Sequence, residues 1–233
     1  MFEPTGRVVL VSGANRGIGA AIAAKLHERG YKLSLGARDP SNIGIAEGAR
    51  VMHAGFEATD KTTHQRWVEA TFERFGRIDG LVNNAGMGGA ISIEEDNDEL
   101  LDKVFAVNVK APLSMIRLCL PHLRLCGSGR IINVASLSGK RVRNDNVAYN
   151  MSKFAVMALT HSARRIAWKD GVRATALCPS FVATDMTADV TKVSPAEMIS
   201  PEDLAELVAT VLALPNTASI AELLVNCRLE DTV

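Results

Sequence analysis

Short runs of β-branched and aliphatic residues recur along this chain, and a longer segment of helical period follows almost every one. Residues 7–12 (RVVLVS), 32–37, 50–56, 79–83, 130–135, 172–178 and 222–226 read as strands. Residues 19–29, 62–75, 98–107, 111–125, 148–168 and 201–214 read as helices. The strands are nearly continuous apolar runs rather than alternating ones, the pattern of burial on both faces. Parallel strands need crossover connections, and helices supply them, so the alternation predicts a parallel sheet with helices on both sides. Gly30, Gly76 and Gly171 stand where helices should end, and Ser200-Pro201 where one should begin. Pro121 should kink its helix or mark a break near its end.

No repeat, linker or low-complexity stretch divides the 233 residues, so one domain over 1–233 is expected. Formal net charge is zero, which gives no field for nucleic acid or an anionic membrane. No run approaches the roughly 18 apolar residues of a membrane span, and nothing near Met1 reads as a secretory signal. Cys119, Cys126, Cys178 and Cys227 lack metal-ligand spacing; they read as reduced thiols, with Cys119 and Cys126 facing the core of one helix. No metal site is expected, and the location expected is the cytoplasm.

The first strand leads into Ser12-Gly13-Ala14-Asn15-Arg16-Gly17-Ile18-Gly19. Glycines at a strand-to-helix turn let the backbone approach a pyrophosphate, and the helix N-terminus offers free N–H groups. Alone, this G-x-x-x-G-x-G spacing is equally a tight turn. A carboxylate at the end of the second strand would select NAD(H); here Gly36-Ala37-Arg38 stands instead. Arg38 and Arg16 can flank a 2′-phosphate, with Asp39 pairing to Arg38, so NADP(H) is favoured over NAD(H). Two solvated surface arginines are the competing reading.

Tyr149 precedes Lys153 by four residues, which stacks both on one helix face. A nearby ammonium favours the phenolate and would draw the tyrosine pKa toward neutrality, as a general acid–base group requires. Ser136 follows the fifth strand at the carboxyl edge, where open α/β sheets bind ligands. Asn108 falls at an apparent break in the helical region after strand four. Each alone has a bland reading: a surface pair, a loop serine, a cap.

Together the pieces resemble the short-chain dehydrogenase/reductase family over almost the whole length. SGANRGIG at 12–19, NNAG at 83–86, Asn108, Ser136-x-x-Gly139, YNMSK at 149–153 and PSFVAT at 179–184 occur in family order. The resemblance implies a single doubly wound Rossmann-type α/β domain of about seven parallel strands. It implies an oxidoreductase that interconverts a carbonyl and an alcohol by hydride transfer. Tyr149 would be the general acid/base, Ser136 would orient the substrate, and Lys153 would hold the nicotinamide ribose and lower the tyrosine pKa. Asn108 would hold a water that relays protons to Lys153. Gly13, Asn15, Arg16, Gly17, Ile18, Gly19, Arg38, Glu57, Ala58, Asn84, Ala85, Gly86, Pro179, Val182 and Thr184 would line the cofactor.

The substrate pocket is expected between residues 87–90, 137–146 and 180–196, with Ser138, Arg141, Ser180, Phe181 and Met186 as candidate contacts. Lys140, Arg141 and Arg143 can recognise a carboxylate or phosphate there, or be solvated loop charges. Four departures from the family pattern stand out: Ser12 for threonine, Glu57-Ala58 at the adenine contact, Ser180 for glycine, and no glycine pair in AELLVNCRLEDTV. A homodimer or homotetramer acting on a small molecule is expected. A catalytically silent NADP(H)-sensing or scaffold protein on the same fold is the alternative.

Overall fold

The computed structural model describes residues 1–229. Seven parallel strands form one sheet among them: β1 Val8–Ser12, β2 Lys32–Ala37, β3 Val51–Gly55, β4 Gly80–Asn83, β5 Arg130–Val134, β6 Arg173–Pro179 and β7 Glu222–Val225. Their spatial order is β3-β2-β1-β4-β5-β6-β7. The chain therefore winds outward in one direction from β1 and in the other from β4, which opens a crevice at the carboxyl ends of those two strands.

The helices are α1 Gly17–Glu28, α2 Lys61–Phe75, α3 Asp98–Phe105, α4 Ala111–Leu125, α5 Val147–Ile166 and α6 Pro201–Ala213. On one face α1 and α6 bury Ile22, Leu26, Leu204, Val208 and Leu212 against Val9, Val11, Leu33 and Leu35. On the other, α2, α4 and α5 bury Trp67, Met115, Ile116, Leu123 and Ala163 with Leu10, Leu81 and Ile131. Trp67 lies flat over Gly36, where a Cβ would stand 2.6 Å from the indole, and its Nε1 donates to Ser34 Oγ at 2.8 Å. That glycine is required because the ring takes the space of a side chain.

Two expectations need correction. The break read at Asn108 is absent: a single π turn, Ala106–Lys110, joins α3 to α4. An inserted residue widens the helix there without ending it. The helix runs from Ala111 to Leu125 as expected, with Pro121 inside it, because losing one intrahelical bond a turn from the end does not stop it. Joined, Asp98–Leu125 is long and apolar enough to cross a membrane, yet Ala111, Met115, Ile116, Cys119 and Leu123 are buried against the sheet side. Cys119 faces the core as expected, but Cys126 caps the helix and is half-exposed. Part of the 221–233 segment, from residue 230 on, lies outside the described residues.

Candidate active site at the switch point

The loop between β1 and α1 is shaped by Gly13 (φ 66°) and Gly17 (φ 52°), both in the left-handed region. At Gly19 a Cβ would fall 2.1 Å from Gly13 O, so the helix start presses directly on the turn. Ser12 Oγ accepts from the backbone N–H groups of Asn84 (3.0 Å) and Ala85 (3.1 Å). Asn84 Nδ2 donates back to Ser12 O at 2.9 Å, so the loops after β1 and β4 are one unit.

Side chains of Asp60, Asn97, Asn146 and Ser200 cap α2, α3, α5 and α6; α1 has no side-chain cap and no acidic residue in its first turn. Its first amides thus face the crevice with the positive end of the helix dipole. Together with the bare glycines, this suits a pyrophosphate, so the residues fit a dinucleotide cofactor.

At the far side of the crevice, Ser136 opens a short 3-10 turn, Leu137–Gly139, and its Oγ accepts from Ser138 N at 3.1 Å. Its hydroxyl also stands near enough to the Tyr149 phenol to act on that group's pKa. Gly139 lets this turn sit on α5, since a Cβ there would be 2.6 Å from Lys153 O. Tyr149 is set by Asn146, whose Oδ1 caps α5 by accepting from Tyr149 N at 3.1 Å. Asn-x-x-Tyr is readable as a cap spacing, and the sequence analysis missed it.

Lys153 is 7% exposed and donates from Nζ to Val134 O at 2.9 Å. The same Nζ lies 5.4 Å from the Tyr149 ring centroid. Burial pushes the Lys153 pKa down to about 8. The expectation that this ammonium pulls the tyrosine toward neutrality is not met. Burial raises the Tyr149 pKa, and the Ser136 hydroxyl is what opposes it. Loss of hydration is the larger influence on the phenol.

Asn108 sits in the π turn with its side chain fully engaged. Its Oδ1 accepts from Met87 N at 2.9 Å, and its Nδ2 donates to Met87 O (2.9 Å) and Ser152 Oγ (3.0 Å). Gly86 packs against it, 3.4 Å from Asn108 Oδ1 to a built Cβ. This side chain therefore ties the β4 loop to α5.

The cofactor-selecting residues differ in state. Arg38 is exposed, and no hydrogen bond or ion pair holds it among the described residues. Asp39 does not pair with it; the carboxylate caps the 40–42 turn through Ser41 and Asn42, which holds its pKa low. Asn15 and Ile18 lie in the turn and first helical residues of the loop. Glu57 Oε1 closes its own turn on Thr59, and His64 Nε2 bonds Glu57 O at 3.0 Å, fixing the Glu57-Ala58 corner.

Beyond Pro179, Val182 pairs with Ile199, and Thr187 Oγ1 donates to Val182 O at 2.5 Å, so the strand end and Thr184 are braced. Thr184 Cγ2 would be 3.2 Å from a Cβ on Gly17, which brings this segment onto the glycine loop. Ser180 Oγ accepts from Cys227 N at 2.9 Å and is committed to the end of β7. Phe181 is half-buried, while Met186 is 58% exposed. Lys140 is paired with an acid of the chain itself: its Nζ is 2.7 Å from Glu222 Oε2, and His161 Nε2 is 2.7 Å from Glu222 Oε1. Arg141 lies close enough to Arg143 and Arg228 for both to add to the burial that lowers its pKa.

Residues 7–194 match the short chain dehydrogenase family. An agropine synthesis reductase of Rhizobium rhizogenes is 44% identical over 228 residues, 96% of this chain and 53% of that protein. The chain thus spans about half the length of that curated relative. A monensin polyketide synthase putative ketoacyl reductase of Streptomyces virginiae is 37% identical over 199 residues, 82% of this chain and 76% of that protein. Among solved structures, a 3-ketoacyl-(acyl-carrier-protein) reductase from Brucella melitensis complexed with NADH superposes with TM-score 0.88 at 27% identity, covering 96% of this chain and 98% of that one. With the switch-point crevice, the glycine loop and the Ser136–Tyr149–Lys153 cluster on one sheet edge, these matches make the chain a member of the short chain dehydrogenase family.

Proposed function

We propose that this protein is an NADP(H)-dependent reductase that converts a carbonyl to an alcohol, with Tyr149 as the proton donor. The coarser statement, an oxidoreductase that uses a nicotinamide cofactor on a small molecule, follows from the family. One observation carries the finer reading: Tyr149, with the Ser136 hydroxyl acting on its phenol, lies over the buried Lys153 amine, whose Nζ is 5.4 Å from the ring centroid. A reduced nicotinamide held along the glycine loop would supply the hydride. Tyr149 gives its proton to the carbonyl oxygen as that oxygen gains charge, and Ser136 donates a second hydrogen bond to it. The raised Tyr149 pKa keeps the phenol protonated at neutral pH, which suits an acid. Lys153, with a pKa of about 8, would bind the ribose hydroxyls and hold a proton that can replace the one given up.

Arg16 and the exposed Arg38 support NADP(H) over NAD(H), since a 2′-phosphate needs cations that an unmodified ribose does not. Two relatives are named reductases, which supports the direction. The expected assembly is a homodimer or homotetramer in the cytoplasm, readable by light scattering; exposed Met151, Phe154 and Ile166 on α5 offer an apolar surface for it.

The test is NADPH oxidation followed by absorbance against aldehydes, ketones, keto acids and ketoacyl esters, with NADPH binding measured by calorimetry. Tyr149→Phe should lower kcat by at least about 100-fold with NADPH affinity within twofold of wild type. Undiminished turnover in that variant would remove the assignment. NADPH binding with no turnover across the panel would favour a cofactor sensor.

A further inference from the structure

We propose that Asp185 tunes the preference for a 2′-phosphorylated cofactor by competing with that phosphate for Arg16. The inference rests on the reading of Arg16 and Arg38 as the phosphate-binding cations. Arg16 is the residue before α1, with extended backbone (φ −159°, ψ 169°) and a side chain that makes no cap to the helix. Its Nη1 stands 3.2 Å from Asp185 Oδ2, an ion pair joining the glycine loop to the segment after β6, 169 positions along the chain.

The two halves of this pair are unequally held. Asp185 begins a 3-10 turn, Asp185–Thr187, braced by Thr187 Oγ1 on Val182 O and by Ala183 N on Ile199 O at 3.0 Å. Thr184, its neighbour, rests on Gly17. The carboxylate is therefore presented by a fixed frame, whereas Arg16 is a long side chain that is 67% exposed. Arginine has the freedom to swing toward Arg38, and the carboxylate does not follow it. Asp185 holds the guanidinium by one contact, Nη1 to Oδ2, so a phosphate that draws the side chain toward Arg38 takes it from Asp185.

A cofactor with a 2′-phosphate must break the Arg16–Asp185 pair to recruit Arg16, while one with a free 2′-hydroxyl leaves it intact. Asp185 thus weakens NADPH binding and leaves NADH binding alone, narrowing the margin that Arg38 creates. The pair is solvent-exposed, 67% and 76%, so its worth is that of a surface ion pair and the expected change is modest.

Calorimetric titration of wild type and Asp185→Asn with NADPH, NADH, adenosine 2′,5′-bisphosphate and adenosine 5′-monophosphate tests this without any turnover assay. Asp185→Asn should tighten NADPH and the bisphosphate about two- to fivefold. NADH and the monophosphate should not change. In an Arg16→Ala background the gain should vanish, as a double-mutant cycle requires of a direct competitor. An NADPH affinity that is unchanged or weakened in Asp185→Asn, or an equal change for NADH, overturns the proposal. If Arg16→Ala leaves NADPH affinity untouched, the proposal falls as well; if Arg38→Ala also leaves it untouched, the NADP(H) reading itself fails. Loss in the arginine variants with no response at Asp185 defeats the competition alone.

Discussion

Replacing Lys153 by methionine should destroy activity and make the protein more stable at neutral pH. Lys153 is 7% exposed, and burial lowers its pKa from 10.5 to about 8. Below pH 8 the amine is charged in both folded and unfolded chains, and the displacement corresponds to about 3 kcal/mol paid by the fold. Methionine matches the straight stem and carries no charge. The substitution also removes the Nζ donor to Val134 O, a loss of about 1–2 kcal/mol. The net gain is about 1–2 kcal/mol, or roughly 3–6 °C in Tm for a chain of this size. Between about 8 and 10.5 the unfolded chain holds more protons at this position than the folded one, so wild-type stability rises with pH in that window. The methionine variant lacks that response, and its advantage should shrink to nothing as pH approaches 10. Thermal and urea unfolding of both proteins without nucleotide, at pH 7 and 9.5, measures the gap. A variant less stable than wild type at pH 7, or a gap that does not move with pH, would refute the reasoning.

Three further outcomes follow from close packing and from the caps. Gly36→Ala drives a methyl group to 2.6 Å from the Trp67 ring, which Ser34 pins through the indole N–H; it should cost about 2 kcal/mol, read as a lower urea midpoint. Gly139→Ala meets Lys153 O at 2.6 Å and should lift the Ser136 turn off α5; kcat should fall at least about tenfold with NADPH affinity nearly constant, which steady-state rates and calorimetry together check. Asn146→Ala removes the cap on Tyr149 N, and should lower stability by about 1 kcal/mol in urea unfolding and reduce kcat.

What could be read from the sequence was what is local. Apolar runs such as RVVLVS announce a strand buried on both faces, and β1 to β7 occur where those runs stand, with ends displaced by a residue or two. Tyr149 and Lys153 share a helix face because four residues make about one turn, and they do so here. The π turn at Asn108 was misread as a break because a polar residue between Val107 and Val109 looks like punctuation, whereas it reaches out to Met87 and Ser152. No local pattern signals that Lys140 will meet Glu222, 82 positions on, or that Arg16 will meet Asp185. Such pairs are fixed by the fold and become visible only when the sheet edge assembles.

The electrostatics of the cluster were also out of reach, for a reason that bears on the proposed chemistry. Counting charges along a helix makes Lys153 an acidifier of Tyr149, but dehydration moves the two groups in opposite directions: the phenol up, the amine down to about 8. The amine is then the first of the two to lose its proton as pH rises, and the phenol stays protonated across the neutral range. Both shifts favour neutral forms, as loss of hydration does. In the proposed reduction this arrangement keeps the proton on the atom that has to donate it, while the nearby amine can give up its own close to neutrality. The buried rail from Asn83 to Asn133 to Thr160, with both contacts at 2.8 Å, satisfies the polar groups beneath and holds β4, β5 and α5 in register without adding charge. In the proposed reaction it is loss of hydration at Lys153 and Tyr149, and not charge pairing along the helix, that sets which group holds the proton.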